Sequence, residues 1–212
     1  MKWYTSDLHL FHNEIIQLCN RPFKDVSEMN GKILKNFQEA IGKDDFLFIL
    51  GDVSIYGQNP ENIIKQIPGH KILIKGNHDK SLLHNKSFRH CFTDIVSSEI
   101  VRDTVKGKEV KIFLSHYPMA EWDGYWKGIW QFYGHVHNSI QGGAALMSMI
   151  PTAINVGLDV QGFMPRTAEK LISERQKNYV KPNLREIEKL VFTPEFQDRN
   201  SRTLDWSGFA NL

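Results

Sequence analysis

Cysteine is scarce in this sequence. Its two thiols, Cys19 and Cys91, lie far apart in unrelated contexts, which excludes both a disulfide framework and a paired-cysteine metal site. No stretch approaches the roughly 18 apolar residues that cross a bilayer. The start, Met1 to Asp7, has no apolar signal core and turns polar at once, so the expectation is a cytoplasmic protein with reduced thiols. There is also no excess of one charge. With 26 Lys and Arg against 24 Asp and Glu, scattered rather than clustered, the net charge of +2 gives no strong sign of a nucleic-acid surface, though a nucleotide substrate stays open. No internal repeat or low-complexity segment is visible. At 212 residues the chain predicts one domain over 1–212, with 197–212 as a polar C-terminal tail.

What is present is a series of apolar strands that stop at polar side chains. Lys71-Ile72-Leu73-Ile74-Lys75 runs into Gly76-Asn77-His78-Asp79, and the carboxyl ends of strands are where open α/β sheets carry their sites. The pattern recurs along the chain. Lys2 to Ser6 ends at Asp7-Leu8-His9, and the continuous apolar run Asp45 to Leu50, which reads as a strand buried on both faces, ends at Gly51-Asp52. Val110 to Leu114 leads to His116, and Trp130 to Tyr133 leads to Gly134-His135-Val136-His137.

Between these strands, Met29, Ile33, Leu34, Phe37 and Ile41 recur at helical spacing after Ser27, an N-cap candidate, with Gly42 as a stop. Pro60 to Ile67 reads as a crossover helix and Lys80 to Asn85 as a short one, giving strand-helix-strand units. The second half changes texture. Ile100 to Val105 and Glu109 to Leu114 flank Lys106-Gly107-Lys108 as a hairpin, so the second sheet should be antiparallel or mixed. Gly142 to Ile150 has no period and reads as a mobile loop, followed by a strand at Ala153 to Val156 and helices at Thr167 to Gln176 and Asn183 to Leu190.

The polar strand ends use five of the nine histidines, with carboxylates and an amide but no thiolate. Such a donor set suits two divalent ions of the borderline first row, with Mn the leading candidate and Fe, Zn, Co, Ni or Mg as alternatives. Alone, any of Asp7, Asp52 or Asn77 could cap a helix; together they are hard to read that way. His12 lies outside the pattern, at the surface or behind a ligand, and His70, His84 and His90 fall on loops or helix ends. Tyr117, Trp122, Tyr125, Trp126 and Trp130 crowd the segment between two ligand blocks, where they can stack on a base or, as tryptophans more often do, fill a core.

The five blocks, Asp-x-His, Gly-Asp, Gly-Asn-His-Asp, a lone His and Gly-His-x-His, resemble the signature of the calcineurin-like metallophosphoesterases, without a substitution, over residues 7–137. Thr5 to His9, Cys19 to Phe23, and Asn155 to Val160 with Pro165 look more narrowly similar to small bacterial and phage phosphoesterases of unassigned substrate. The resemblance implies an α/β fold: a four-layer α-β-β-α sandwich of two mixed sheets flanked by helices. It implies that Asp7, His9 and His137 hold one ion, that Asn77, His116 and His135 hold the other, and that Asp52 bridges them. His78 would face the phosphate, with Asn77, and donate a proton to the leaving oxygen, and Asp79 would fix its orientation. Arg21 has two readings, a phosphate ligand or a clamp on a nearby carboxylate.

The function implied is metal-dependent hydrolysis of a small or nucleotide-type phosphoester, phosphatase or phosphodiesterase, by a hydroxide shared between the ions. The alternatives are a non-catalytic protein-binding module on the same fold, or a nuclease. The module reading expects lost ligands. The nuclease reading expects a basic track.

Overall fold

The computed structural model describes residues 1–55 and 57–181. Two four-stranded sheets form its middle layers. The first contains β1 (Lys2–Thr5), β2 (Phe46–Ile49), β3 (His70–Ile74) and β4 (Asp94–Val96), parallel and in that order. The second contains β5 (Ser98–Val105) and β6 (Lys108–Ser115), an antiparallel hairpin, then β7 (Trp130–Tyr133) and β8 (Ala153–Asn155) running parallel to β6.

The period-two geometry of a strand explains the layering. In β2, Leu47 and Ile49 point to the helical side while Phe48 and Leu50 point between the sheets, so a continuous apolar run serves two cores. The inter-sheet core joins Tyr4, Phe48, Ile72 and Ile74 to Val101, Ile112, Leu114 and Phe132. Outside the first sheet lies α2 (Val26–Ala40), whose Met29, Ile33 and Phe37 recur every fourth residue and are fully buried. Its cap is Asp25 rather than the expected Ser27: the Asp25 carboxylate accepts from the Glu28 amide at 2.8 Å, and Glu28 in turn accepts from the Lys24 amide. The shorter helices on this side are α1 (Glu14–Leu18), α3 (Glu61–Ile64), α4 (Asp79–Leu82) and α5 (Lys86–Arg89).

Outside the second sheet the expected loop is a helix, α6 (Gly142–Ser148). Two glycines hid it. Because β7 and β8 are parallel, their connection must cross over the sheet, and Ala144, Ala145 and Met147 are buried there, so packing overrides weak propensity. The strand β4, three residues long, was also not read from the sequence. Finally α7 (Ala168–Asn178), capped by Thr167, closes one end of the inter-sheet core with Ala168, Leu171 and Ile172. The helix expected at Asn183 to Leu190 and the tail 197–212 lie outside the described residues. Among the described residues no helix is long and apolar enough to cross a membrane.

Candidate metal centre

The ligand candidates meet where the carboxyl ends of β1, β2, β3, β6 and β7 converge, and glycine is what lets them. A Cβ on Gly51 would stand 2.6 Å from the Gly76 backbone and 2.6 Å from His116 Nδ1. One on Gly134 would collide with the Ser6 hydroxyl and the Asp7 carboxylate. The backbone must also turn sharply to aim the side chains. Asp7, His9, Asp52, His135 and His137 all have left-handed φ, between 49° and 70°, a region where non-glycine residues are uncommon and concentrate at functional sites.

Two trios result. The ligand atoms of Asp7, His9 and His137 all lie within 4.8 Å of one another, and so do those of Asp52, His116 and His135. Asp52 stands between them. Its Oδ2 is 3.7 Å from His9 Nε2 and 3.5 Å from His116 Nε2, while its Oδ1 accepts the His78 amide at 3.0 Å. The Asp7 carboxylate accepts the His135 amide, which ties the first trio to the second sheet.

The hydrogen bonds behind the rings decide which nitrogen faces the centre. His116 Nδ1 is 2.7 Å from the Leu50 carbonyl, which can only accept, so in a neutral ring Nδ1 carries the proton. Its Nε2 lone pair then faces two more acceptors, Asn77 Oδ1 at 3.0 Å and Asp52 Oδ2. At His9, Nδ1 meets His12 Nδ1 at 3.1 Å, where either ring can be the donor, and the buried Nε2 has no hydrogen-bond partner. Convergent lone pairs without a proton between them are what a divalent cation needs, so the residues fit the metal ions that the resemblance implies.

The ionisation shifts describe the protons an arriving cation must displace. Burial pushes the Asp7 carboxyl up to about 6, with the nearby imidazoles of His137 and His116 opposing. Burial works against a charge on His137, but hydrogen bonds to Asp159 and Cys19 hold it up to about 10. His9 goes the other way, kept neutral by burial and by the His137 and Arg21 charges, and burial lowers His135 as well. Cys19, His137 and Asp159 form a third close group. It shares His137 with the first trio.

Of the two roles open to Arg21, the structure takes the carboxylate clamp and withdraws the phosphate. Only 4 % of the residue is exposed. Its Nε and Nη2 donate to Asp159 at 2.8 and 3.1 Å, and Nη1 and Nη2 donate to the Leu8 and Asp7 carbonyls at 3.0 and 2.8 Å. One guanidinium therefore fixes the backbone between two ligand candidates, Asp7 and His9. Through Asp159, which accepts from His137 Nδ1 at 2.9 Å, it also fixes a third. Removing one member of such a buried pair strands the other charge, so Arg21→Ala should cost about 3–5 kcal/mol of stability. Denaturant unfolding checks it: a loss under about 1 kcal/mol would mean the pair is solvated.

Asp79 also departs from its expected role. Its two oxygens accept the backbone amides of Gly76, Asp52 and Val53 at 2.8 to 3.0 Å, and burial raises its pKa. It pins the ends of β2 and β3 together instead of orienting His78. The His78 imidazole itself is 42 % exposed, with Nε2 3.9 Å from Asp52 Oδ2 and the ring edge-on to His9 at 5.2 Å. The aromatic segment divides. Trp122 packs in the outer core with its Nε1 on the Ile129 carbonyl, whereas Trp126 is 85 % exposed and Tyr117 47 %. A cavity of about 810 Å³ lies at the other end of the sheets, by Met1, Phe46 and the start of α7, and none of the ligand candidates lines it.

A sandwich of two sheets with oxygen and imidazole donors gathered at its strand ends defines a candidate metalloprotein. Residues 3–139 match the model of the calcineurin-like phosphoesterase family, and the chain belongs to that family. It is thus a hydrolase acting on phosphoric esters, of a family that uses divalent metals. An uncharacterised protein of Methanocaldococcus jannaschii is 25 % identical over 84 % of this chain and 93 % of its own. The gene 66 protein of Mycobacterium phage L5 is 31 % identical over 55 % of this chain and 62 % of its own. A crystal structure of a protein of unknown function from Aquifex aeolicus superposes with a TM-score of 0.63 at 27 % identity, over 82 % of this chain and 98 % of that one.

Proposed function

We propose that this chain hydrolyses a small or nucleotide-type phosphoester at a dinuclear centre. Asp7, His9 and His137 would hold one ion and Asn77, His116 and His135 the other, with Asp52 shared. The observation that carries this reading is the placement of Asp52 Oδ2 between His9 Nε2 and His116 Nε2, at 3.7 and 3.5 Å. A pair of divalent ions, with Mn the leading candidate, supplies a hydroxide nucleophile at neutral pH and neutralises the phosphoryl oxygens.

The residues do the rest. The carboxylates and neutral rings hold the donor geometry, Arg21 and Asp79 brace it from behind, and His78 offers an exposed Nε2 from which the leaving oxygen takes its proton. The free, buried Cys19 and Cys91 fit a reducing compartment, and we place the protein in the cytoplasm as one domain. A binding module retired from catalysis would have no need of convergent unpartnered lone pairs. The even charge balance leaves the nuclease reading without a basic track.

Titration of chelator-stripped protein with Mn tests the proposal. Two equivalents should bind, and hydrolysis of a nitrophenyl phosphoester should appear only with them. Because His137 keeps its proton up to about 10 and Asp7 up to about 6, binding must release protons. Affinity should then rise with pH, by roughly tenfold per unit near neutrality. A single ion per chain, or two ions without turnover, would reject the proposal.

A further inference from the structure

Two exposed rings lean on different halves of the centre. His78 packs against His9, of the first trio; Tyr117 packs edge-on against His116 at 5.0 Å and His135 at 4.5 Å, both of the second. We propose that Tyr117 is the platform for a planar group that stays on phosphorus, so that the substrate class is a phosphodiester with a base-like ring on its retained side. This rests on the phosphoesterase reading above.

Three observations carry it. Tyr117 is 47 % exposed although it immediately follows a buried ligand, so its ring faces outward at the rim of the centre. Its backbone is fixed: the Ser115 hydroxyl donates to the Tyr117 carbonyl at 2.8 Å, Pro118 follows, and the fully buried Gln131 amide meets Ser115 Oγ and the Met119 backbone. A rigid aromatic face loses little entropy when a flat group lies on it. The third observation is that Arg21 donates to Asp159 and to the Leu8 and Asp7 carbonyls, so this guanidinium is not free to pair with the second charge of a monoester.

The geometry also separates the two ester groups. The leaving oxygen takes its proton from the His78 side, so a ring on Tyr117 belongs to the other ester bond. In hydrolysis water adds to phosphorus, the bond to the leaving oxygen breaks, and the ring-bearing monoester remains as product. Stacking of a base on an aromatic side chain is sequence-tolerant, so the proposal specifies a planar ring and not a particular base.

The test uses the full chain loaded with Mn and two diesters with one leaving group: a p-nitrophenyl diester of thymidine phosphate and methyl p-nitrophenyl phosphate. Nitrophenolate needs no proton, so His78 does not enter the comparison. Tyr117→Leu should raise KM for the thymidine diester roughly tenfold or more, with KM for the methyl diester and the metal content nearly unchanged. Tyr117→Phe, which keeps the ring, should behave as the wild type. Equal losses on both diesters, or a loss of bound metal, would overturn the platform and leave Tyr117 as packing for two imidazoles. Turnover of p-nitrophenyl phosphate but of neither diester by the loaded wild type would overturn the diester class and the platform with it, while turnover of no nitrophenyl ester at all would reject the proposed function as well.

Discussion

His78→Ala should lower kcat on an ester with an alkoxide-like leaving group by about 10²–10⁴-fold while both ions stay bound. The structure separates the two effects because His78 serves the centre in two independent ways. Its backbone amide donates to Asp52 Oδ1 at 3.0 Å and survives the substitution. Its imidazole touches no trio as a member and is 42 % exposed, so removing it creates no buried orphan. An alkoxide cannot leave without a proton, whereas a nitrophenolate can, so the loss should shrink on a nitrophenyl ester. Rates on the two esters, measured beside metal content, decide the matter. Equal losses on both, or depletion of metal, would show that the ring organises the site and does not protonate the leaving group.

Asp52→Asn should leave the fold intact, lose one ion, and cost at least about 10³-fold in hydrolysis, since several kcal/mol of charge stabilisation depend on the pair. Asparagine tolerates the left-handed φ of 55° and its amide oxygen can still accept from the His78 amide, so the substitution isolates the charge of the oxygen between the trios. It also removes a negative charge that raises the pKa of Asp7. Thermal unfolding of chelator-stripped protein should therefore change little, and the rise in Tm on adding Mn should shrink. Two ions bound as tightly as in the wild type would remove Asp52 from its bridging role.

The gathering of the ligand candidates at one rim was legible because its constraints are local. A strand followed by a glycine and a carboxylate or imidazole is one physical device: the glycine admits a neighbouring backbone, and the next residue turns its side chain inward. Gly51-Asp52 and Gly134-His135 show it directly. What was not legible depends on contacts distant in sequence. Arg21 and Asp159 meet across 138 positions, and nothing near Arg21 distinguishes a guanidinium bound for a phosphate from one bound for a buried carboxylate. Asp79 follows His78 directly, yet its carboxylate turns back to the amides of Gly76, Asp52 and Val53, a matter of rotamer and tertiary placement. The glycines of α6 and the unlike fates of Trp122 and Trp126 belong to the same class. Local preference says little until the partner surface exists.

The left-handed backbones have a consequence for how this chain can change. Each such non-glycine residue costs about 1–2 kcal/mol, and Asp7, His9, Asp52, His135 and His137 all carry that cost. Among the described residues, five of the nine non-glycine residues with left-handed φ are thus ligand candidates, the others being Phe11, Asn20, Lys106 and Phe163. Drift to glycine at any of the five would relax the backbone as it deleted a ligand candidate, so on the proposed function the loss of activity runs downhill in strain. Efforts to make it more robust by easing backbone tension should start at Lys106 and Phe163, which share the left-handed φ and are not ligand candidates.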